Sequence, residues 1–384
     1  MSRARCLFWV QSLLGSGHLR RALLVAEALA RHGFAVTLVN GGLPGPWRAD
    51  PSVEIVQLPP LVADGLDFAR LVEPDGTPAT PALHAARRQR LLGLLEAQAP
   101  ALLLTEMFPF GRRGFRGELL PWLAEARARR PAPLVACSVR DVLVSKADPA
   151  RHAWMAETCL AHYDRVLVHG DERLLPFSAT FPLADRLGER LVHTGFVLGP
   201  LAPLALTGAP PAVVVSAGGG AVGDRLLPTA VAARPLTGLA AEPWLVIGGQ
   251  NLPATELAAL ARQAGPQLEL VRYRPDLPAL MAAATVSVSQ AGYNTVVEGL
   301  SLGARMVLVP FAAGGEDEQT RRAARLTGLG LAELVPEAGL TPAMLAAAID
   351  RAAARPRPAP EAFRCDGAEA TARLLAELVA ERAR

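Results

Sequence analysis

At 384 residues the chain is too long for one ordinary hydrophobic core and predicts two domains. Its 51% apolar and 20% charged residues exclude a disordered chain, and a net charge of only +3 with scattered arginines gives no sign of a nucleic-acid partner. Lys146 is the only lysine, so Schiff-base or P-loop chemistry would rest on one residue in a loop-like Ser-Lys-Ala-Asp setting.

From the N-terminus, Arg3 and Arg5 precede an apolar run from Cys6 to Val10 that resembles a secretory signal. Gln11 and Ser12 interrupt it and no small-x-small cleavage site follows, so the run reads instead as a first strand. No apolar run reaches about 18 residues, so no transmembrane helix is expected. The four cysteines (Cys6, Cys137, Cys159, Cys365) lie far apart and read as reduced thiols of a cytoplasmic protein.

Strand and helix patterns then alternate, which predicts an α/β protein of doubly wound parallel sheets. The strand Leu7 to Val10 passes through a glycine turn into a helix from His18 to about His32, stopped by Gly33. Strands follow at Ala35 to Val39 and Val53 to Leu58, and Pro59 to Pro81 reads as a polar, mobile, acceptor-side loop. A helix at about Leu83 to Gln98 leads to a strand ending at Thr105-Glu106. The strand Leu134 to Cys137 ends at Ser138-Val139-Arg140-Asp141, and Val166 to His169 ends at Gly170-Asp171-Glu172. Ligands of open α/β sheets bind beyond such carboxyl ends, which makes Glu106, Asp141 and Asp171 candidates for a general base or its orienting group, each against a structural role. Phe108 to Phe115 mixes aromatics with Arg112 and Arg113, as an acceptor-facing surface or ordinary packing would.

Residues 1–194 are therefore expected as one domain, 195–211 as a Pro- and Gly-rich linker, 212–360 as a second domain and 361–384 as a terminal helix. The second domain starts with a strand at Ala212 to Val215 and the loop Ser216-Ala217-Gly218-Gly219-Gly220, a natural anion nest. Further on, Tyr273-Arg274 follows the strand Leu268 to Arg272. The most informative stretch runs from Ser289 to Gln319. A β-branched strand ends at Gln290-Ala291-Gly292 and gives way to a helix whose free N–H groups suit a phosphate. Glu298 falls one turn after Asn294, and an ionised carboxylate there suits a vicinal diol such as a ribose. The run Glu316-Asp317-Glu318 is a charged helix start, since three consecutive residues cannot converge on one metal ion.

At the first turn, Gly15-Ser16-Gly17-His18 lacks the third glycine of a dinucleotide fingerprint, because Arg20 stands there, and Asn40 replaces the acidic residue that would end the second strand. The glycines still let a substrate approach the backbone, and the helix dipole favours a neutral, basic His18.

Gly292-Tyr293-Asn294-Thr295, Glu298, Pro310 and Gln319 resemble the donor-site signature of family 28 glycosyltransferases, the group that includes the peptidoglycan enzyme adding N-acetylglucosamine to a lipid-linked sugar. The G-x-G-H-x-x-R pattern resembles that family's first glycine loop, and more closely that of the related UDP-sugar hydrolase of pseudaminic acid synthesis, in which the histidine is catalytic. The resemblance implies a GT-B fold, with two Rossmann-like domains facing a central cleft and the last helix packing back on the first. It implies a nucleotide-sugar donor of the UDP-linked kind, held by Ser216, Gly218, Gly219, Gly220, Gln290, Gly292, Asn294, Thr295, Glu298 and Gln319, with the base near Tyr273 and Arg274. An acceptor, small or lipid-linked, is expected beside Gly15, Gly17 and Arg112, and catalysis is expected to draw on His18 or on a strand-end carboxylate, Glu106 or Asp141. The expected reaction is an inverting transfer without metal or other cofactor, in the cytoplasm or at the inner face of the membrane. Hydrolysis of the nucleotide-sugar and non-catalytic sensing stand as alternatives.

Overall fold

The computed structural model describes residues 3–13, 17–45, 50–65, 67–143, 148–199, 206, 208–217, 225–249, 252–311, 317–360 and 363–384. Gly15, Ser16, Lys146, Glu316 and the three glycines 218–220 fall outside them. The chain divides into two compact units, Met1–Leu198 with Asp366–Arg384, and Gly199–Cys365.

The first unit runs β1 (Ala4–Val10), α1 (Gly17–Arg31), β2 (Phe34–Asn40), β3 (Val53–Gln57), β4 (Val62–Asp64), β5 (Asp67–Val72), α2 (Pro81–Gln98), β6 (Leu102–Glu106), α3 (Arg116–Ala128), β7 (Leu134–Arg140), α4 (Pro149–His162), β8 (Arg165–His169) and β9 (Leu191–His193). Among the described residues its main sheet is parallel throughout, in the order β3-β2-β1-β6-β7-β8-β9. Both faces are covered, which is why β1 is apolar almost without interruption. Leu7 and Trp9 enter a core with Leu91 and Leu95 of α2, Trp122 of α3 and Cys159 of α4. Cys6, Phe8 and Val10 point the other way, into a core with Ala22, Val25 and Leu29 of α1.

In the second unit come β10 (Val213–Ser216), α5 (Leu226–Ala233), β11 (Trp244–Ile247), α6 (Ala254–Ala261), β12 (Leu268–Val271), α7 (Leu277–Ala283), β13 (Val286–Ser289), α8 (Tyr293–Ser301), β14 (Met306–Leu308), α9 (Glu318–Gly328), β15 (Ala332–Leu334) and α10 (Pro342–Ala354). Its sheet, also parallel among the described residues, has the order β12-β11-β10-β13-β14-β15. The last helix, α11 (Gly367–Arg382), belongs to the first unit, where Ala368, Ala372 and Leu375 join the core beneath α1.

The structure corrects the reading of Pro59 to Pro81 as a loop. β4 and β5 form an antiparallel hairpin in which Asp64 pairs with Asp67 and the chain turns at Gly65, at φ +58°. A glycine takes that left-handed turn without a Cβ clash, and Asp-Gly between apolar residues is itself a hairpin signal. The short edge strand β9 was also missed, because three residues carry no readable alternation.

Candidate active site

In each sheet one pair of neighbouring strands sends its connections in opposite directions: β1 and β6 in the first unit, β10 and β13 in the second. A crevice opens at the carboxyl ends of such a pair, and ligands of open α/β sheets bind there. Both candidate sites sit at these positions.

In the first unit, α1 starts beyond β1 and carries His18 in its first turn, while β6 ends at Glu106. His18 Nδ1 lies 2.9 Å from Glu106 Oε1, and the same carboxylate oxygen accepts from Arg21 Nη2. Glu106 is fully buried, whereas the His18 side chain keeps 16% of its exposure. Burial by itself would raise the Glu106 pKa. The His18 ring and the Arg21 guanidinium outweigh it and hold the carboxyl at about 2. An ionised carboxylate only accepts hydrogen bonds, so Nδ1 carries the imidazole proton and Nε2 the lone pair. Burial lowers the His18 pKa to about 4, against Glu106, which raises it, and with Arg112 and Arg21, which lower it further. At neutral pH the ring is therefore an uncharged base oriented by a carboxylate.

Behind this pair, His169 at the end of β8 is fully buried between Ser138 Oγ (2.7 Å) and Thr194 Oγ1 (2.9 Å), and burial drives its pKa down to about 3. The segment leaving β1 is held by Gln11, whose Nε2 donates to Leu61 O (2.8 Å) while Arg112 Nε donates to Gln11 O (2.7 Å). Arg87, fully buried, reaches Gln11 Oε1 at 2.8 Å and Gly41 O at 3.1 Å, and its Nε contacts both oxygens of Glu118. Gln11, just past β1, is thus tied to Leu61, to Arg112 and to Arg87 in the middle of α2.

Of the other expected residues, Gly17 opens α1 and Gly15 is outside the described residues. Asp141 is buried just past β7, packed so closely on Gly170 that a Cβ there would lie 2.7 Å from its own. Asp171 is engaged by the backbone and guanidinium of Arg173. Phe108, Phe110 and Phe115 are core residues, so packing explains them, and Arg112 alone of that segment reaches the site. The contact of Glu106 with His18 was not legible, but Arg21, three residues after His18, shares its helix face, and that spacing was a usable signal.

In the second unit, Ser216 and Ser289 are register partners at the carboxyl ends of β10 and β13, both buried. Ser289 Oγ has no hydrogen-bond partner among the described residues. Gly292 is the N-cap of α8, with extended backbone and no side-chain cap, and a Cβ there would meet none of the described residues within 4 Å. A helix start of this kind leaves backbone N–H groups that can accept an anion. Asn294 and Thr295 lie half-buried in its first turn, and Glu298 is buried one turn later. Gln290 is half-buried between strand and helix. On α9, Gln319 Oε1 accepts from Phe311 N at 3.1 Å, which leaves its amide N–H groups as donors. Tyr273 is 58% exposed and Arg274 makes a two-pronged pair with Asp276. Arg322 and Ser289 escaped the sequence reading. The i,i+4 spacing of Glu318 and Arg322 is the signal that would have found the former.

Comparison with known proteins now fits this geometry. Residues 215–378 match the glycosyltransferase family 28 C-terminal domain. The UDP-N-acetylglucosamine--N-acetylmuramyl-(pentapeptide) pyrophosphoryl-undecaprenol N-acetylglucosamine transferase of Methylorubrum populi is 32% identical over 391 residues, covering 96% of this chain and 95% of that protein. The chain belongs to glycosyltransferase family 28. The enzyme of the same name from Methylobacterium radiotolerans is 31% identical over 222 residues, 54% of this chain and 60% of that one. Acinetobacter baumannii MurG superposes with a TM-score of 0.62 at 17% identity, over 97% of this chain and 99% of that one, a likeness of fold. This family 28 member is thus a glycosyltransferase of GT-B fold. No described helix is long and apolar enough to cross a membrane.

Proposed function

We propose that the protein transfers a sugar from a UDP-sugar to the hydroxyl of a lipid-linked acceptor, with inversion at the anomeric carbon and without a metal. The observation that carries the proposal is the pairing of two unlike sites at two equivalent sheet positions: a carboxylate-oriented neutral histidine and an uncapped helix start flanked by buried serines. The full-length relative is named for a UDP-N-acetylglucosamine donor and a pyrophosphoryl-undecaprenol acceptor, which supports both substrate classes here.

In this reading the diphosphate lies at the Gly292 amide, near the carboxyl ends of β10 and β13 that carry Ser216 and Ser289. Glu298 accepts from the ribose hydroxyls, and the Gln319 amide donates to the sugar. His18 Nε2 takes the proton from the acceptor hydroxyl as its oxygen attacks the anomeric carbon, and Glu106 and Arg21 keep the ring in the basic tautomer. The carbon–oxygen bond to the diphosphate breaks in the same step, and the negative charge that builds on the leaving UDP is met by backbone amides and the α8 dipole. One direct displacement inverts the centre. Such a protein would work in the cytoplasm, at the inner face of the membrane where a lipid-linked acceptor lies.

A panel of nucleotide-sugars, assayed for nucleotide release with and without membrane-lipid extract, tests this. The expected result is extract-dependent UDP release that persists in EDTA. In Glu298→Ala the donor KM should rise about 10- to 100-fold, the cost of losing a hydrogen bond to a charged group. Equal release without extract would overturn transfer in favour of hydrolysis, the second reading, which the same His18–Glu106 pair supports by activating water. Donor binding with no release would leave a sensor.

A further inference from the structure

Arg322 is 2% exposed and sits on the second turn of α9, the helix that also presents Gln319. Its Nη2 donates to Glu318 Oε1 at 2.7 Å, and its Nη1 donates to Ala291 O at 2.8 Å. The guanidinium carbon lies 5.8 Å from the centre of the Tyr293 ring. Glu318 is itself buried, so the positive charge is matched at once by a carboxylate. What the guanidinium delivers to the start of α8 is therefore direction more than charge.

Ala291 and Gly292 share the peptide at the helix entrance, and in a trans peptide the C=O and N–H point in opposite directions. Holding Ala291 O toward α9 turns the Gly292 N–H away from α9. Ser289 Oγ, buried and without a partner among the described residues, stands just before this peptide and is a second polar atom left for a ligand. Resting on the donor-site reading above, we propose that Arg322 is a positioning residue for the diphosphate: it locks the Ala291–Gly292 peptide so that the Gly292 N–H faces the phosphate. Only the planar fork of arginine serves two acceptors at fixed angles while stacked on a ring; a lysine ammonium is a point charge on a flexible stem. The same helix ties down the segment after β14 through Gln319 and Phe311, so α9 aligns two donor-binding elements at once.

Titration calorimetry of UDP and of uridine against the wild-type chain, Arg322→Lys and Arg322→Met separates this role from a merely structural one. Both variants should weaken UDP binding about 10- to 100-fold, the range of one charge-assisted hydrogen bond, while uridine binding stays within about twofold. Arg322→Lys keeps the charge and most of the volume, so it decides the question if Arg322→Met does not fold. Wild-type affinity for UDP in Arg322→Lys would overturn the proposal, because charge without the fork would then suffice. Parallel loss of UDP and uridine would overturn it too, by showing general damage to the unit. A wild-type chain that binds neither ligand would sink the donor-site reading and this assignment together, and that failure is visible before any variant is made.

Discussion

The two units build the same crevice and furnish it differently. Beyond β1 and β6 stand ionisable side chains, His18, Arg21 and Glu106, coupled through one carboxylate oxygen. Beyond β10 and β13 stand hydroxyls and a bare helix start, Ser216, Ser289 and Gly292. A parallel sheet provides only a place where helix starts and strand ends converge. The residues set there decide whether the place handles protons or holds an anion.

The sharpest way to break the comparison is to remove the base. His18→Ala should cut turnover by about 10²- to 10⁴-fold, the usual contribution of general base catalysis, and leave UDP affinity unchanged by calorimetry. A matching loss of UDP affinity would mean that the first unit also holds the donor. In the wild type, kcat/KM should fall as pH drops through about 4, where His18 takes up a proton. Glu106 raises the His18 pKa, so in Glu106→Gln that acid limb should move to lower pH, with turnover reduced by up to about 10⁴-fold as the tautomer loses its anchor. An acid limb that moves upward would contradict the assigned coupling.

A smaller effect sets two glycines against each other. Gly292→Ala meets none of the described residues within 4 Å, so the melting temperature should hold while UDP affinity falls, because the methyl group occupies the approach to the helix start. Gly41→Ala puts its methyl group against Gln11 Oε1 and 2.7 Å from Arg87 Nη2, so it should cost about 1–3 kcal/mol of stability with no direct effect on UDP. Thermal melts and UDP titration of both variants read the two outcomes.

A further effect is on acid stability. His18 and His169 have folded pKa values of about 4 and about 3, below the ordinary histidine value of 6.5. Between those values the unfolded chain binds more protons than the folded one, so stability rises with pH there and is lost as pH falls from 6.5 toward 4. Each histidine contributes at most ~1.4 kcal/mol per pH unit in that window. Glu106 acts with the same sign lower down, its contribution present above its ordinary value of 4.5 and lost as pH falls toward about 2. His169→Asn should flatten the slope between pH 6.5 and 4 in urea melts, and an unchanged slope would show that its neutral burial is misassigned.

The alternation of strands and helices was legible because buried parallel strands are apolar throughout and amphipathic helices repeat at 3.6 residues. So was the switch of period at Ser289 to Gly292, which marks the start of α8. Glu106 was legible as a strand end but not as the partner of His18, since the contact needs β6 to be inserted beside β1 across 88 positions of sequence. The Arg322–Ala291 contact was hidden for the same reason, although the helical pair Glu318–Arg322 was open to view. The hairpin of β4 and β5 was lost because prolines and acidic residues around it outweighed a single Asp-Gly turn.

The return of α11 to the first unit orders events during synthesis. Gly367 N donates to Phe196 O, Val197 bridges Asp366, and a Cβ on Gly367 would lie 2.7 Å from Phe196 O, so the helix docks through a fit that no other residue allows. Ala22, Val25 and Leu29 share their core with Ala368, Ala372 and Leu375. On the ribosome, residues 199–365 emerge before those partners exist. The second unit is therefore free to fold while the first still shows an oily stripe to water, and a nascent chain stalled short of residue 366 is the species a chaperone would meet.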